Sequence, residues 1–247
     1  MAKKLAVFVE GQTEQFLVQR LLTEVAGKHQ IAIDLVQARG SGTSRLIVEG
    51  HSRNDLRYYA IICDCGSDST VVSDVRDNYA TLAQAGYSLV LGLRDEYSAG
   101  TPPPSEQRLT AMRTAMRSAL PNGAVPCQVI LAVREIESWF IVEDWHYPHI
   151  HQELTVELIR ARLQIDTTTV AAESIADPAD TLHRIYQIKG KAYRKTRAHV
   201  HRTVDALDYE RLYCEISVKV AALGDLCGHL DTFFTEPSQG NSDLAGN

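Results

Sequence analysis

The chain contains no apolar run approaching the roughly 20 residues that cross a bilayer, which excludes a membrane-spanning helix and sets the expectation of a soluble, cytoplasmic protein. Its start, Met-Ala-Lys-Lys, leads straight into a short apolar stretch and does not have the shape of a signal peptide. Cysteine is scarce and odd in number: Cys63, Cys65, Cys127, Cys214 and Cys227 stand at uneven spacing. That pattern speaks for reduced thiols rather than a disulfide framework. Cys63-x-Cys65 has no second pair with which to build structural zinc. Gly40-Ser41-Gly42-Thr43-Ser44 lacks the lysine of a phosphate loop, so the chain is not expected to hydrolyse ATP by itself. No Gly-x-Ser-x-Gly elbow marks a serine nucleophile. The run Trp145-His146-Tyr147-Pro148-His149-Ile150-His151 is broken by Pro148 and has no obvious fourth ligand. It reads as a loop joining sheet to helices rather than a zinc site. There is no internal repeat and no low-complexity segment. A net charge of −6 offers nucleic acid no global attraction, so any such contact must be local.

What is present is an ordinary globular composition, 45% hydrophobic and 23% charged over 247 residues. That suits one α/β domain carrying a smaller appendage. Apolar runs predict strands over Lys4–Val9, Ile31–Val36, Tyr58–Ile62, Ser88–Leu93 and Gln128–Val133. Between them, helices are expected over Thr13–Ala26, Val71–Ala85 and Glu106–Ala119, the last behind the breaker run Thr101-Pro102-Pro103-Pro104-Ser105. Gly40–Asn54 is ambiguous between a helix and a short strand. Strands separated by helices imply a mostly parallel sheet. After about Val142 the pattern turns helical, with Leu154–Leu163, Ala179–Gln187, Ala198–Leu207 and Tyr209–Cys227. The expected organisation is therefore an α/β domain over 1–142, a helical appendage over 143–237 and a flexible tail over 238–247.

Acids recur at one end of these strands. The first strand ends in Glu10; the third runs into Asp64, with Asp68 four residues on; the fourth runs into Asp95-Glu96; the fifth enters Arg134-Glu135-Ile136-Glu137. In a parallel sheet the carboxyl ends of the strands share an edge, where ligands and chemistry collect. Clustered carboxylates repel one another unless a cation neutralises them. Hard oxygen donors favour Mg²⁺ or Mn²⁺, and such ions can activate a water for attack on a phosphate ester. Singly, each acid is as well explained as a surface loop residue or a helix cap; the argument lies in their common placement. If Glu135–Glu137 is helical, the two acids face different ways; if extended, they share a face.

A second local feature is basic. Lys189, Lys191, Arg194, Lys195, Arg197 and Arg202 fall within fourteen residues that hold no acid, with Tyr186 and Tyr193 interleaved. Cations there could grip a nucleic-acid backbone while the tyrosines stack on exposed bases. The plainer alternative is a solvated helix face paired with acids elsewhere.

Val9-Glu10-Gly11-Gln12-Thr13-Glu14 resembles the opening motif of Toprim-like nucleases, as does the apolar strand ending in Leu93-Arg94-Asp95-Glu96-Tyr97. With Cys65-Gly66-Ser67-Asp68 and Glu135-Ile136-Glu137-Ser138-Trp139-Phe140, most of the chain is similar to a bacterial Toprim-like family related to OLD-type and other phage-defence nucleases. The resemblance implies a Toprim-like α/β fold and a Mg²⁺- or Mn²⁺-dependent endonuclease cutting DNA or tRNA. It implies an ABC/SMC-like ATPase as partner, with a homodimer also open. Glu10 matches the family's first acid, and the resemblance favours Glu137 over Glu135. The family's Asp-x-Asp pair is not matched, since Asp64 and Asp95 each stand alone, which leaves one or two metals open. The resulting expectation is a site of Glu10, Asp64, Asp95 and Glu137, completed by Asp68. The alternatives are a non-catalytic docking subunit of an ATPase complex and a small-molecule phosphoesterase.

Overall fold

The computed structural model describes residues 2–27, 30–38, 45–49, 56–67, 69–96 and 104–235, without the side chains of 38 and 45–49. Asp68 and the tail lie outside the described residues. The protein is α/β, with six strands in the order β3-β2-β4-β1-β5-β6. These are β1 (Lys3–Val9), β2 (Ile31–Ala38), β3 (Arg45–Glu49), β4 (Tyr58–Asp64), β5 (Tyr87–Glu96) and β6 (Cys127–Val133). Five run parallel, and β3 pairs with β2 antiparallel at one edge. The parallel strands are apolar along nearly their whole length because helices cover both faces. That is why they stand out in the sequence, whereas the short edge strand β3 does not.

Side-chain alternation sorts the core into two layers. One holds Leu5, Val7, Ala60, Ile62, Leu91 and Leu93 against helix α1 (Gln12–Ala26). The other holds Ala6, Phe8, Val90 and Leu131 against α2 (Val71–Gln84) and α3 (Glu106–Ala119). The helix after β1 thus covers one face, while the helices after its neighbours β4 and β5 cover the other. Such reversals are the switch points where α/β sheets open crevices at their carboxyl edge. Here they flank the end of β1, where Glu10 stands.

Close packing is enforced at Gly92 in β5, where an added Cβ would come 2.7 Å from Val129 Cγ2 and 3.1 Å from Val71 Cγ1. Gly92→Ala is expected to cost about 1–3 kcal/mol through overpacking, read as a lower urea midpoint at unchanged slope.

The C-terminal region is helical, as the sequence predicts. It comprises α4 (Glu137–Val142), a 3₁₀ turn (Asp144–His146), α5 (Tyr147–Ile150), α6 (Val156–Leu163), α7 (Pro178–Gln187), α8 (Arg197–Ala206), α9 (Tyr209–Arg211), a π turn (Leu212–Ile216), α10 (Ser217–Lys219) and α11 (Ala221–Thr235). Its apolar residues join the α1 layer in one continuous core that includes Trp139, Tyr186, Tyr193, Val204 and Leu226. The end of α11 is tied to the amino end of the sheet, since Lys3 Nζ donates to the Phe233 carbonyl (2.6 Å) and Tyr58 Oη to that of Phe234 (3.0 Å).

At three places the local structure departs from the pattern expected of the sequence. Pro148 does not prevent a helix, because it lies in the first turn of α5, where its missing N–H costs nothing. The helix expected over Tyr209–Cys227 is broken at Val220, whose backbone is extended. Gly224 makes that turn possible: an added Cβ there would lie 2.6 Å from the Ser217 carbonyl oxygen. The first helix is entered through Gly11, with Thr13 already inside it.

Candidate active site

β1 delivers Glu10 to the carboxyl edge, and its Oε2 accepts the backbone N–H of Asp95 at 3.2 Å. β5 continues past the expected end at Leu93 and carries Asp95 and Glu96 within the strand. Alternation sends Asp95 to the face of Leu91 and Leu93, beneath α1. Glu96 goes to the opposite face, where Arg108 approaches it at 3.1 Å. The first turn of α1 contributes Glu14, 4% exposed. After β6 the chain turns through Arg134, which is fully buried at φ 72°. A left-handed conformation at a residue with a Cβ is strained and characteristic of sites that need a particular direction of approach. Beyond it stand Glu135 and Glu137. Neither reading of this run as one element holds: Glu135 precedes the helix, Glu137 opens it, and both nonetheless reach the same lysine.

That lysine is Lys195, whose Nζ lies 2.7 Å from Glu135 Oε1 and 3.5 Å from Glu137 Oε1. Tyr193 Oη donates to Glu137 Oε1 at 2.8 Å. Glu135 Oε2 accepts the N–H of Ala179 in the first turn of α7 (3.2 Å). Two buried carboxylate oxygens, Asp95 Oδ1 and Glu137 Oε2, accept no hydrogen bond among the described residues.

The electrostatics follow from this crowding. Burial raises the Glu14 carboxyl to about 8, with Glu137 and Glu10 pushing the same way against the pull of Lys195. Asp95 is raised well above its ordinary value, first by burial and then by Glu14, Glu137 and Glu10. Glu137 is raised by burial in spite of Lys195. For Lys195, desolvation works downward, but Glu137 and Glu135 outweigh it and hold the ammonium above its ordinary value. The arrangement is a set of carboxylates that share too little positive charge, and it can take up protons or a cation.

Of the expected residues, Glu10, Asp95 and Glu137 are brought together, joined by Glu14, Glu135, Tyr193 and Lys195. Asp64 is not part of the group. It caps its own turn, accepting the Gly66 N–H at 2.8 Å and, at 3.5 Å, Gln37 Nε2. Burial raises it, but none of the clustered carboxylates contributes. Asp68 lies outside the described residues. Glu14 was visible in the sequence within the Glu10–Glu14 motif, one helical turn from Glu10. Lys195 and Tyr193 stand out in the sequence only as candidates for nucleic-acid contact, and nothing local points to a place among the carboxylates.

The basic segment is also rearranged. Lys195 belongs to the cluster. Lys189 pairs with Glu153 at 2.6 Å. Arg202 donates to the Ala192 carbonyl and stacks on Tyr186 at 5.6 Å. Arg197 lies over Phe16 at 5.2 Å and, like Lys191 and Arg194, is exposed. Tyr186 and Tyr193 are 0% and 1% exposed, so neither is available to stack on a base. His146 is fully buried against Glu143 (3.1 Å), while His149 is exposed.

Fold and site together define an α/β protein with a buried carboxylate cluster at the carboxyl edge of a mostly parallel sheet. Comparison with protein-family models, with curated proteins and with solved structures finds no match to this chain. No helix among the described residues is long and apolar enough to cross a membrane.

Proposed function

We propose that this protein is a Mg²⁺- or Mn²⁺-dependent nuclease that hydrolyses phosphodiester bonds of DNA or tRNA, with Glu10, Glu14, Asp95 and Glu137 as its acidic centre. The observation that carries the reading is the crowding of these carboxylates around two unpartnered buried oxygens, Asp95 Oδ1 and Glu137 Oε2. The donor set is all carboxylate oxygen, which suits a hard divalent ion. The fit is one of donor chemistry and not of a closed cage, since no group of three such ligands converges on one point among the described residues.

When bound, the ion would polarise the phosphate and supply the activated water. The chain's own residues do the rest. Asp95 N–H fixes Glu10, and Tyr193 fixes Glu137. Raised carboxyls such as Glu14 hold protons at neutral pH and would release them on holding a cation. Lys191, Arg194 and Arg197 supply positive charge for a sugar–phosphate backbone. Action as a toxic effector in anti-phage defence, beside an ABC/SMC-like ATPase, is the setting that the resemblance implies.

The test is cleavage of labelled plasmid DNA and a total tRNA pool with Mg²⁺, with Mn²⁺ and with EDTA. Glu10→Ala and Glu137→Gln are each expected to lower the metal-dependent rate by about 100-fold or more, the scale on which removal of one charge-stabilising group acts. Asp64→Asn should leave it within a few-fold. Cleavage that survives in EDTA, or in Glu10→Ala, would sink the proposal. A second reading, a non-catalytic docking subunit, is favoured by one observation: Lys195 already neutralises Glu135 and Glu137 from within the chain. It predicts no cutting by the wild type alone or with the ATPase.

A further inference from the structure

The segment 188–196, which joins α7 to α8, enters the carboxylate cluster twice and in two different ways. Tyr193 is buried; its N–H donates to His183 Nδ1 at 3.1 Å and its hydroxyl to Glu137 Oε1 at 2.8 Å. Two residues on, Lys195 reaches Glu137 and Glu135 from the solvent side, with 46% of its side chain exposed. Tyr193 is an anchor, and Lys195 is a partly exposed arm beside it. The carboxylates have holders of their own: Glu135 is bonded to the first turn of α7, and Glu137 is held by Tyr193. Around them, Glu137 Oε2 and Asp95 Oδ1 are buried without a hydrogen bond among the described residues. One position is therefore within reach of held carboxylate oxygens, borders on unpartnered ones, and is filled by an ammonium that can leave by side-chain rotation alone.

We propose that Lys195 is a resident counter-cation. It occupies the Glu135–Glu137 end of the cluster in the metal-free protein and swings out when a divalent ion takes its place. This deepens the metal-dependent reading above and rests on it. An ammonium and a divalent ion compete for the same oxygens, so metal uptake is weakened by the need to displace the lysine. The freed ammonium faces solvent beside Arg194 and Arg197, where a polyanion would hold it. Metal and nucleic acid then favour each other's binding by a reciprocal factor, because each stabilises the same displaced position of Lys195.

The experiment is calorimetric titration of the full chain with Mn²⁺, comparing wild type, Lys195→Met and Lys195→Arg. Lys195→Met keeps most of the side-chain stem and removes the charge; it is expected to bind Mn²⁺ about tenfold more tightly or better, on the order of 1.4 kcal/mol. Lys195→Arg keeps a cation and is expected to stay near wild type. Binding measurable only in Lys195→Met also supports the proposal. Equal or weaker binding in Lys195→Met overturns it while leaving the metal-dependent reading in place. Absence of Mn²⁺ binding in all three proteins overturns both. Should Lys195→Met fail to fold without metal, recovery of the wild-type circular dichroism in Mn²⁺ supports the exchange, and failure to recover counts against it.

Discussion

With divalent metal removed by EDTA, the stability of this protein is expected to decline as the pH is raised from about 5 to about 8.5. A glutamate ordinarily titrates near 4.5, whereas Glu14 in the fold titrates at about 8, chiefly because it is buried. Between those values the folded chain keeps a proton that the unfolded chain has released. The unfolded state then binds fewer protons, and stability falls with rising pH. Below about 4.5 the contribution is complete, and above about 8 it is gone. Asp95 and Glu137 are also raised, Asp95 strongly, and act with the same sign. Asp166 acts with the opposite sign, but it is lowered to about 2 and so lies outside this window. His199, held below its ordinary value by desolvation and by Arg202 and Arg194, also opposes the slope, and within the window, as a single, partly exposed group against three buried carboxyls.

One pKa unit is worth about 1.4 kcal/mol, so the cluster should cost on the order of a few kcal/mol across the window. That is a large part of the roughly 5–15 kcal/mol that holds a typical domain together. Urea unfolding at three pH values in EDTA measures it. Glu14→Gln, which cannot ionise, should flatten the slope. Mg²⁺ should reverse it, because the ion binds the deprotonated cluster and its benefit grows with pH. A stability independent of pH in EDTA would mean that these carboxylates do not share protons in the way their burial implies.

The parts of the fold legible in the sequence were those where local pattern and tertiary environment agree. The strands β1, β4, β5 and β6 are covered on both faces and read as unbroken apolar runs. The edge strand β3 fell in the stretch left ambiguous. At the site, Glu10 could be picked out because it directly follows a fully apolar strand. For Asp95 and Glu96 the sequence offered two adjacent acids; which of them faces α1 became clear only with the register of β5. Asp64 sits at an equivalent strand end, but its carboxyl closes its own turn at Gly66, a hydrogen bond that strand-end position does not reveal. Lys195 is far in sequence from every acid it serves, so only the packing of the helical region onto the α1 face could bring it there. Tyr186 was readable: Leu182, Ile185 and Tyr186 form an i, i+3, i+4 apolar stripe, the mark of a core face.

The same packing leads to the second large effect, for Trp139→Ala. Trp139 lies on α4, two residues after Glu137, and is 1% exposed. It belongs to the core that runs from the sheet face into the C-terminal helices. Truncating such a side chain typically costs about 3–5 kcal/mol, the lost transfer energy plus the cavity left behind. Because α4 also carries Glu137, local loosening should disturb the carboxylate cluster, and the pH slope in EDTA should weaken together with the stability. Trp145 supplies the control: it is 58% exposed and stacks on Arg211 at 4.7 Å, so Trp145→Phe should change stability by about 0.5 kcal/mol or less. Far-ultraviolet circular dichroism during urea unfolding reads both variants. A core continuous across sheet and helices requires one transition, shifted as a whole to lower urea in Trp139→Ala. Two separated transitions, with only the later or the earlier one moved, would show instead that the helical region is an independent folding unit resting on the sheet.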